Sequence, residues 1–471
     1  MGIKEVLEKL KKEGLVLEVE ETLSPDVEIP ILSSKLASQT PKAFLFKNVE
    51  GKEYPLVTNL YFNKFETIFQ ADSITLLKNF KMLSSILFDV SLDPSSKITL
   101  LARLAWVSEF YPKTIEASPF IRRSALDVDL GKLPALRHSS GEEYPVIKNP
   151  IIILFDKKLD KTLIYSEPVQ VVDEKALLLH TPKKSKASLF LEEAAKHGES
   201  IDIAIIIGVS PHLQLVSNMD WIPWFNKYLL AGALSGKSVS LVRVEKNFYV
   251  PAEAEMILVG ELVPGDVRPE GKMLYEDMQL YGGSPMPLVR VKSIWHKPTT
   301  VFYTSLTHPY NSDEYTLNTI REKFMLEYLQ LFAPDISYLT FLSYDAYRTL
   351  ILALNNPHPG RAFEVGSLVF SLTLNPNLDT IIVFSEKSKI DKIKVKELLP
   401  SLLSALRPEK ILYFETIHEE DVLRQDKRGK IIVDATSLSL DYYDEEGYFL
   451  SDKHVKLREA YEKIIRELRG S

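Results

Sequence analysis

The middle of the chain, from about residue 120 to about residue 300, is a succession of short β-rich segments separated by turn residues. Only two helical stretches, at about 187–197 and 223–235, interrupt it. This pattern predicts a compact β-barrel-like core with insertions. The segments that we interpret as strands are Ile151–Phe155, Val169–Val172, Ala176–Leu179, Ile203–Gly208, Ser238–Val244, Glu255–Leu262 and Leu288–Ser293.

The regions on either side of this core mix helices and strands. Near the N-terminus, an amphipathic helix is followed by the predicted strands Leu15–Val19 and Ala43–Phe46. Beyond about residue 315, helical segments alternate with the strands Thr380–Phe384 and Lys410–Phe414, which is typical of a βαβ layer. We therefore expect a mixed α/β protein with an N-terminal α/β domain (1–115), a central β domain (116–310), a C-terminal α/β domain (311–450) and a terminal helix (451–471).

The terminal helix is predicted over residues 453–469. Its apolar side chains share one stripe of an otherwise charged helix, so this stripe must dock on the same chain or on a partner. The stripe consists of Val455, Leu457, Ala460, Tyr461, Ile464, Ile465 and Leu468.

Composition and charge narrow the class of protein. With 57 Lys and Arg against 64 Asp and Glu, the net charge of −7 disfavours nucleic acid and anionic lipid as partners. The absence of cysteine excludes thiol nucleophiles, disulfides and thiolate-bound metal centres. The longest apolar runs have the length of strands, and the N-terminus lacks the apolar core of a signal peptide. We expect a cytoplasmic protein without a membrane-inserted segment.

The short motifs that mark several well-known enzyme classes do not support a function for this chain. The stretch Ala231–Ser238 fits a loose P-loop pattern, but a helical stretch precedes it and a β-rich one follows, which favours the turn at the end of a helix. The nine histidines show no metal-binding spacing. Neither a nucleophile elbow nor a dinucleotide-binding glycine motif occurs, so hydrolase and Rossmann-type functions have no support.

Acidic residues cluster after one of the predicted strands. Carboxyl groups paired on loops can act as acid and base when their environments separate their pKa values, and a solvated acidic loop explains the same composition. The sequence alone leaves both interpretations open. The cluster consists of Glu253, Glu255, Glu261, Asp266, Glu270, Glu276 and Asp277.

A set of short motifs lies in order along nearly the whole chain. They are Ala43–Gly51, Tyr54–Leu60, Gln170–Glu174, Ile205–Pro211, Ala231–Leu234, Val250–Glu255, Arg268–Gly271 and Val433–Thr436. Together they resemble the motifs of the UbiD family of prenylated-flavin carboxy-lyases.

The resemblance implies an N-terminal α/β domain, a central split-barrel flavin-binding domain, a C-terminal α/β domain and oligomerisation through a C-terminal helix. It also implies decarboxylation of aromatic or α,β-unsaturated acids with prenylated FMN. In that family a divalent metal and potassium bridge the cofactor phosphate to the protein, and an arginine and two acidic residues carry the chemistry.

The metal and arginine positions of the family are not preserved here. The stretch that supplies a metal-binding Asn and the catalytic Arg becomes Leu163–Pro168, so that Leu163 stands for the Asn and Pro168 for the Arg. The metal-binding His falls on Lys186 and the metal-binding Glu on Lys227. A protonated ammonium has no lone pair for a metal. We therefore expect no stoichiometric divalent metal, no bound cofactor and poor binding of FMN or prenylated FMN.

The acidic loop of the family is partly retained. Glu270 persists, and a two-residue insertion brings Asp277, with Glu276 beside it, onto the second acid. If the site is active, these three residues are the candidate catalytic acids. Ser217, Asn218 and Met219 lie where the family has small polar residues against the flavin phosphate.

Two functional hypotheses follow from this resemblance. The first is a non-catalytic or altered UbiD-fold paralogue, acting alone or as a subunit beside an active relative. The second is an active decarboxylase that binds prenylated FMN in a changed way, with Glu270 or Asp277 as acid or base. Lys186 and Lys227 would then neutralise a phosphate directly. If they do not bind a phosphate, Lys186 and Lys227 are ordinary lysines that fill the mouth of an empty pocket or point into solvent.

Overall fold

A computed structural model describes residues 2–61, 65–88, 105–123, 126–183, 185–198, 200–221, 226–309, 312–373, 378–385, 406–414, 429–437 and 459. Within them the chain is a mixed α/β structure built on three main sheets. Of these three, the largest comes from the middle of the chain, and the other two are formed mainly by its N-terminal and C-terminal parts. This confirms the predicted fold class.

The N-terminal sheet has the strand order β1-β2-β3-β18. Its last strand, β18, follows the central sheet in the chain and pairs in parallel with β3. The helix α1 begins the unit, and its apolar face is fully buried through Ile3, Val6 and Leu10. The elements are α1 (Ile3–Lys12), β1 (Val16–Val19), α2 (Glu28–Ala37), β2 (Ala43–Phe46), β3 (Leu56–Thr58), α3 (Phe65–Phe69), α4 (Ser73–Phe88) and β18 (Phe302–Tyr303).

The central sheet is antiparallel along the order β6-β9-β10-β17-β14-β11-β7-β8, and β5 pairs with β17. This pairing confirms the β-rich core, while its described strands form an open path. The strands are β5 (Ile121–Arg123), β6 (Val146–Ile147), β7 (Ile151–Asp156), β8 (Lys161–Tyr165), β9 (Val169–Val171), β10 (Ala176–Leu179), β11 (Ile201–Ile207), β14 (Met256–Pro269) and β17 (Pro285–His296).

Strands β14 and β17 are both longer than the sequence predicts. For β14, the sequence pattern predicts an end at Leu262 because Pro264 and Gly265 follow it. In the structure β14 continues to Pro269, with a register shift between Leu262 and Val267 where it pairs with β17. A β-bulge absorbs the residues that break regular pairing, so the strand passes through them.

Smaller elements lie between the central strands along the chain or just before them. The helices predicted at 187–197 and 223–235 are α5 and α7 in the structure, and a short helix, α6, lies between them. These elements are β4 (Lys113–Thr114), α5 (Lys186–Ala195), α6 (Pro211–Ser217), α7 (Lys227–Ser235), β12 (Ser240–Glu245), β13 (Phe248–Pro251), β15 (Met273–Leu274) and β16 (Leu280–Tyr281).

The P-loop-like stretch lies at the end of α7, as the sequence predicts. The helix ends at Ser235, and Gly236 takes the left-handed conformation (φ 70°) that stops it. Strand β12 follows from Ser240. A nucleotide-binding P-loop requires the opposite order, with a strand before the loop and a helix after it.

The C-terminal sheet has the order β19-β20-β21-β23-β22. Strands β20, β21 and β23 are parallel, and helix α9 connects the first two, which confirms the predicted βαβ layer. The predicted strand at 410–414 is an antiparallel edge strand instead. The elements are α8 (Asp313–Leu329), β19 (Ile336–Phe341), β20 (Thr349–Leu354), α9 (Arg361–Thr373), β21 (Thr380–Ser385), β22 (Ile411–Phe414) and β23 (Lys430–Ala435).

The predicted terminal helix at 453–469 lies outside the described residues, apart from Glu459. Across the parts of the chain that are described, no helix combines the length and the apolar character needed to cross a membrane. The three predicted domain boundaries, near residues 115, 310 and 450, stay predictions.

Candidate functional site

A cavity of about 230 Å³ opens between the central sheet with its covering helices and the helix α8. We call it the Asp220 cavity. One wall comes from the loops around α5 and α6, and the other comes from α8 and the residues after β19. Its polar and charged lining comprises Glu167, Ser185, Lys186, Asn218, Asp220, Glu314, Asn318, Arg321, Glu322, Tyr347 and Thr373.

Two lysines meet at one carboxylate in the wall of this cavity. Lys227 Nζ lies 2.7 Å from Asp220 Oδ1 and also donates to the Ser217 carbonyl oxygen. Lys186 Nζ donates to the Asp220 carbonyl oxygen and lies 3.7 Å from Oδ1. We call this Lys186–Asp220–Lys227 group the lysine bridge. The structure thus brings together the two lysines that the sequence predicts at the family's metal-ligand positions.

The lysine bridge forms where two helices begin. Lys186 is the first residue of α5, whose N-cap Ser185 accepts a hydrogen bond from the Ser188 N–H. Lys227 is the first residue of α7, whose N-cap Asn226 accepts from the Tyr228 and Leu229 N–H groups. The N-terminal end of a helix carries a partial positive charge. Two such ends and two ammonium groups therefore favour negative charge at the same point.

The members of the bridge differ in how deeply they are buried. Only 11% of the Lys227 side chain is exposed, against 35% for Asp220. Burial lowers the pKa of Lys227, because removal from water disfavours the charged form. Asp220 opposes this change, whereas the positive charges of Lys186 and Arg321 add to it. Burial is the largest of these effects, so it decides the direction of the shift.

Arg321 of α8 fixes the loop that carries Asp220. Its Nε and Nη2 donate to the carbonyl oxygens of Leu215 and Gln214, at 2.9 and 3.1 Å, near the end of α6. Its Nη1 donates to Glu314 and Asn318, at 2.6 and 2.7 Å. The side chain is buried. Arg321 therefore connects α8 to the end of α6, immediately before Asp220.

Glu270 lies in a second buried polar group, which we call the Glu270 cluster. Its Oε1 accepts a hydrogen bond from His180 Nδ1 at 2.8 Å, and the Tyr275 hydroxyl lies 3.3 Å from His180 Nε2. Glu270 is 6% exposed and His180 3%. Burial lowers the pKa of His180, but the charge and hydrogen bond of Glu270 outweigh this effect and raise it above its ordinary value. Glu270 and His180 thus form a buried charge-assisted pair.

Hydrogen bonds to the backbone hold the loop after Glu270 in place. Gln170 donates to the Gly271 carbonyl oxygen at 2.7 Å and accepts from the Gly271 N–H at 3.0 Å. Three residues later, Glu142 accepts from the Leu274 N–H and Lys148 donates to its carbonyl oxygen, both at 2.8 Å. The loop that carries Glu270 and Tyr275 is therefore held by Gln170 of β9 and by Glu142 and Lys148 on either side of β6.

The other two predicted acids lie further along the same loop. Asp277 accepts from the Tyr281 hydroxyl at 2.5 Å and from the Gln279 N–H at 3.0 Å, so its carboxylate is engaged within its own turn. Glu276 is partly exposed, and its charge acts on Glu167. The structure therefore does not place Asp277 in direct contact with the Glu270–His180 pair.

Glu167 connects the cavity with the Glu270 cluster. It lines the Asp220 cavity, and burial raises its pKa to about 7. His180 acts on it in the opposite direction, while Asp220, Glu314 and Glu276 raise its pKa further. A carboxyl group with a pKa near neutrality can exchange a proton at physiological pH.

The predicted cofactor-binding residues of the loop 217–219 differ in their placement. Asn218 lines the cavity and accepts from the Ser166 N–H at 3.1 Å. Ser217 is fully buried and donates its hydroxyl to the Gln214 carbonyl oxygen at 2.8 Å. Met219 packs into the hydrophobic core. Of these three, only Asn218 faces the cavity.

Sequence reasoning missed Glu167, His180, Asp220 and Arg321. Asp220 directly follows the predicted residues 217–219, so its position was available from the sequence. Arg321 carries a weaker signal, because it shares a helix face with Leu317 and Phe324 at the spacing of buried residues. His180 gives no local signal. It reaches Glu270, which directly follows β14, because β10 and β14 both pair with β17.

The residues at the implied metal site do not fit a divalent cation. Leu163 is part of β8 and pairs with Leu154 of β7. The ammonium groups of Lys186 and Lys227 form ion pairs with Asp220. Aliphatic and ammonium groups offer no lone pair to Mn²⁺ or Mg²⁺. Throughout the described residues, no group of three or more His, Cys, Asp or Glu side chains could hold a metal.

Comparison with models of known protein families identifies the family to which this chain belongs. The family model for the 3-octaprenyl-4-hydroxybenzoate carboxy-lyase N-terminal domain matches residues 7–79. The model for the Rift-related domain of the same carboxy-lyases matches residues 113–309. The chain belongs to the UbiD family. The UbiD resemblance that the sequence motifs predict is thereby confirmed.

Relatives and solved structures agree with this assignment. An uncharacterized protein of Synechocystis is 21% identical over 84% of this chain and 83% of its own. One of Archaeoglobus fulgidus is 20% identical over 99% and 98%. Vanillic acid decarboxylase of Sedimentibacter hydroxybenzoicus has a TM-score of 0.77 at 18% identity, covering 99% and 98%. The UbiD-class enzyme HmfF of Pelotomaculum thermopropionicum, in complex with FMN, has a TM-score of 0.72 at 20% identity, covering 97% and 98%.

A second carboxyl group of the cavity gives a testable pH effect. Glu322 accepts from the Phe341 N–H at 2.7 Å and from the Thr340 hydroxyl, and burial raises its pKa from 4.5 to about 7. The folded protein holds this proton up to about pH 7, whereas the unfolded chain releases it near 4.5. The free energy of unfolding therefore falls as the pH rises through that window.

Between about pH 5 and pH 8 the free energy of unfolding should fall by roughly 1–3 kcal/mol less in Glu322→Gln than in the wild type. The variant should therefore be the more stable protein above about pH 7. Glutamine keeps an acceptor for the Phe341 N–H. Urea unfolding from about pH 5 to pH 8 measures the effect, with the exposed Glu109→Gln as the matched control. The same pH slope in Glu322→Gln as in the wild type would contradict the assignment.

Proposed function

We propose that this protein is a non-catalytic UbiD-fold paralogue or subunit that does not perform metal-bridged, prenylated-FMN-dependent decarboxylation. The observation that carries the proposal is the lysine bridge. Both lysines at the family's metal-ligand positions have their ammonium groups within hydrogen-bond or ion-pair distance of Asp220. A divalent cation at this point would face two positive charges.

The position of the family's catalytic arginine supports the same conclusion. Pro168 has neither a charge nor an N–H, so it cannot anchor a substrate carboxylate. His180 is a basic side chain of the Glu270 cluster, but its Nδ1 is hydrogen-bonded to Glu270 and its Nε2 lies beside the Tyr275 hydroxyl. The buried imidazole therefore presents no free N–H to a substrate.

Co-expression with a flavin prenyltransferase tests the proposal. We expect the purified protein to show no stoichiometric flavin absorbance and no decarboxylation of aromatic or α,β-unsaturated acids. A UbiD-type decarboxylase matured in the same cells serves as the positive control. Flavin absorbance together with turnover of any such acid would refute the non-catalytic proposal.

An active decarboxylase is the second candidate, and the burial of Glu270 favours it. A carboxylate held by a histidine in a dry environment suits proton transfer. If turnover is found, Glu270→Gln combined with Asp277→Asn should reduce it to background, whereas the exposed Glu192→Gln should leave it unchanged. Persistent activity in the double variant would show that these acids are misassigned.

For assembly, we expect a homo-oligomer, or a complex with an active UbiD-type subunit, formed through the helix at 453–469. The structural neighbours include an evolved dimeric form of HmfF. Each large apolar side chain of the stripe forgoes roughly 1.5–3 kcal/mol if it stays in water. Deletion of residues 453–471 should therefore give monomers or aggregates in size-exclusion chromatography with light scattering. An equally stable oligomer after deletion would contradict this prediction.

A further inference from the structure

The described lining of the Asp220 cavity contains more carboxyl groups than cations. Its acidic and basic members are Glu167, Asp220, Glu314, Glu322, Lys186 and Arg321. Arg321 is paired with Glu314. Lys186 shares Asp220 with Lys227 in the lysine bridge. Even with Lys227 counted, four carboxyl groups face three cations, so one negative charge remains when all four are ionised.

Glu167 and Glu322 are the two carboxyl groups of this lining that have no cation of their own within it. Burial raises the pKa of each to about 7. Glu322 accepts from the neutral Phe341 N–H and Thr340 hydroxyl. The charged groups that act on Glu167 are His180, which is bonded to Glu270, and the carboxylates of Asp220, Glu314 and Glu276. Near neutral pH, protons on these two groups remove the excess negative charge, and a bound cation would take their place.

Two oxygen atoms at this cavity are buried without a hydrogen-bond partner among the described residues. Glu314 accepts from Arg321 through Oε1, whereas its Oε2 has no partner. Thr373, at the end of α9, is 2% exposed, and its hydroxyl has no partner either. Buried polar atoms without a partner are costly, so they mark places where a ligand or water completes the hydrogen bonding. Both oxygens can accept from an N–H donor.

We propose that the Asp220 cavity binds a small primary amine in its ammonium form, held by Glu167, Glu314 and Thr373. An ammonium group has one positive charge and three N–H donors. It therefore matches both the excess negative charge of the lining and the two acceptors that have no partner. This inference rests on the proposed function, because the cavity adjoins the family's metal-ligand positions and must be free of flavin.

The size and the apolar lining of the cavity limit the carbon skeleton of the amine. The volume of about 230 Å³ lies below the range of roughly 300–1,000 Å³ that is usual for cofactor and drug-sized ligands. It exceeds the roughly 150 Å³ of a protein cavity that holds benzene. The apolar lining consists of Trp221, Met325, Phe341 and Ala346. An amine with one ring or one short chain fits these limits.

Isothermal titration calorimetry with benzylamine tests the proposal on the full-length protein. Benzyl alcohol and benzoate are the neutral and anionic comparisons of the same size. We expect benzylamine to bind and to raise the melting temperature, whereas the other two do neither. Binding should tighten from about pH 6 to pH 8, because a cation favours the ionised forms of Glu167 and Glu322. Near pH 7 it should release up to about one proton per amine, which titrations in two buffers of different ionisation heat measure.

Two variants of unchanged shape test the assigned contacts. Glu167→Gln should weaken benzylamine binding at least about tenfold and reduce the proton release. The exposed Glu192→Gln of α5 is the matched control. Thr373→Val removes a hydroxyl that has no described partner, so it should weaken binding about threefold or more without lowering the melting temperature of the free protein. Unchanged affinity in either variant would overturn the site as proposed.

The three compounds also distinguish a failure of this inference from a failure of the proposed function. If benzoate binds in place of benzylamine, the cavity prefers an aromatic acid, so the inference is wrong and the active-decarboxylase candidate gains support. If none of the three binds, only the inference is wrong, because flavin absorbance and turnover measure the proposed function separately. Benzylamine binding to the flavin-free protein, together with its loss in Glu167→Gln, supports both.

Discussion

Replacement of Arg321 by methionine is expected to lower the free energy of unfolding by about 3–5 kcal/mol. The substitution keeps much of the side-chain volume but removes four hydrogen bonds of a buried guanidinium. It leaves the carbonyl oxygens of Gln214 and Leu215 without this donor and deprives Glu314 of its cation. Groups that lose such partners inside a protein retain their full desolvation cost.

Urea unfolding at neutral pH measures this loss, and Arg243→Met on the exposed side of β12 is the matched control. Hydrogen exchange provides a more specific result. Because Arg321 holds the end of α6, the amides that follow it, from Ser217 to Asp220, should lose protection in Arg321→Met. Unchanged protection of these amides would contradict the proposed positioning role, even if the protein were destabilised.

Replacement of His180 by leucine is the second large effect that we expect. It leaves the Glu270 carboxylate buried without its hydrogen-bond donor, which should cost about 3–5 kcal/mol at pH 8. The wild type itself loses the stabilisation that comes from the raised pKa of His180 as the pH rises. The unpaired buried carboxylate of the variant loses more over the same range, because burial without a partner strongly raises its pKa. The difference between variant and wild type should therefore become smaller as the pH falls. Unfolding measured at about pH 5 and pH 8 gives the difference.

The double variant His180→Leu with Glu270→Leu provides the control for this pair. Both charges are then absent, so the double variant should be more stable than His180→Leu alone at pH 8. If the two substitutions add without interaction, the Glu270–His180 pair is not coupled, and the proposed geometry is wrong.

Local patterns in the sequence predicted most of the central sheet, because short apolar strands between turn residues leave little choice of secondary structure. Strand β10, for example, covers the same residues, Ala176–Leu179, in the prediction and in the structure. Prediction failed where a local rule was overridden by pairing. Pro264 and Gly265 indicate a strand end, yet β14 continues beyond them through a bulge against β17.

The candidate site was predictable only where the family resemblance supplied a position. It placed Lys186 and Lys227 near one another, but the carboxylate that joins them belongs to Asp220, which no motif covers. His180 and Arg321 reach the site from β10 and α8, far away in sequence from the residues that they bond. Contacts of this kind depend on tertiary packing, and neither spacing nor composition encodes them locally.

Elemental analysis of the purified, full-length protein tests the central claim most directly. The protein should be expressed with manganese in the medium and purified without chelator, beside the variant Lys186→His with Lys227→Glu and Leu163→Asn, which restores the family's ligand types. We expect well below one divalent metal ion per chain in the wild type, because the lysine bridge lies at the metal position. A wild-type content of about one manganese ion per chain would contradict the account.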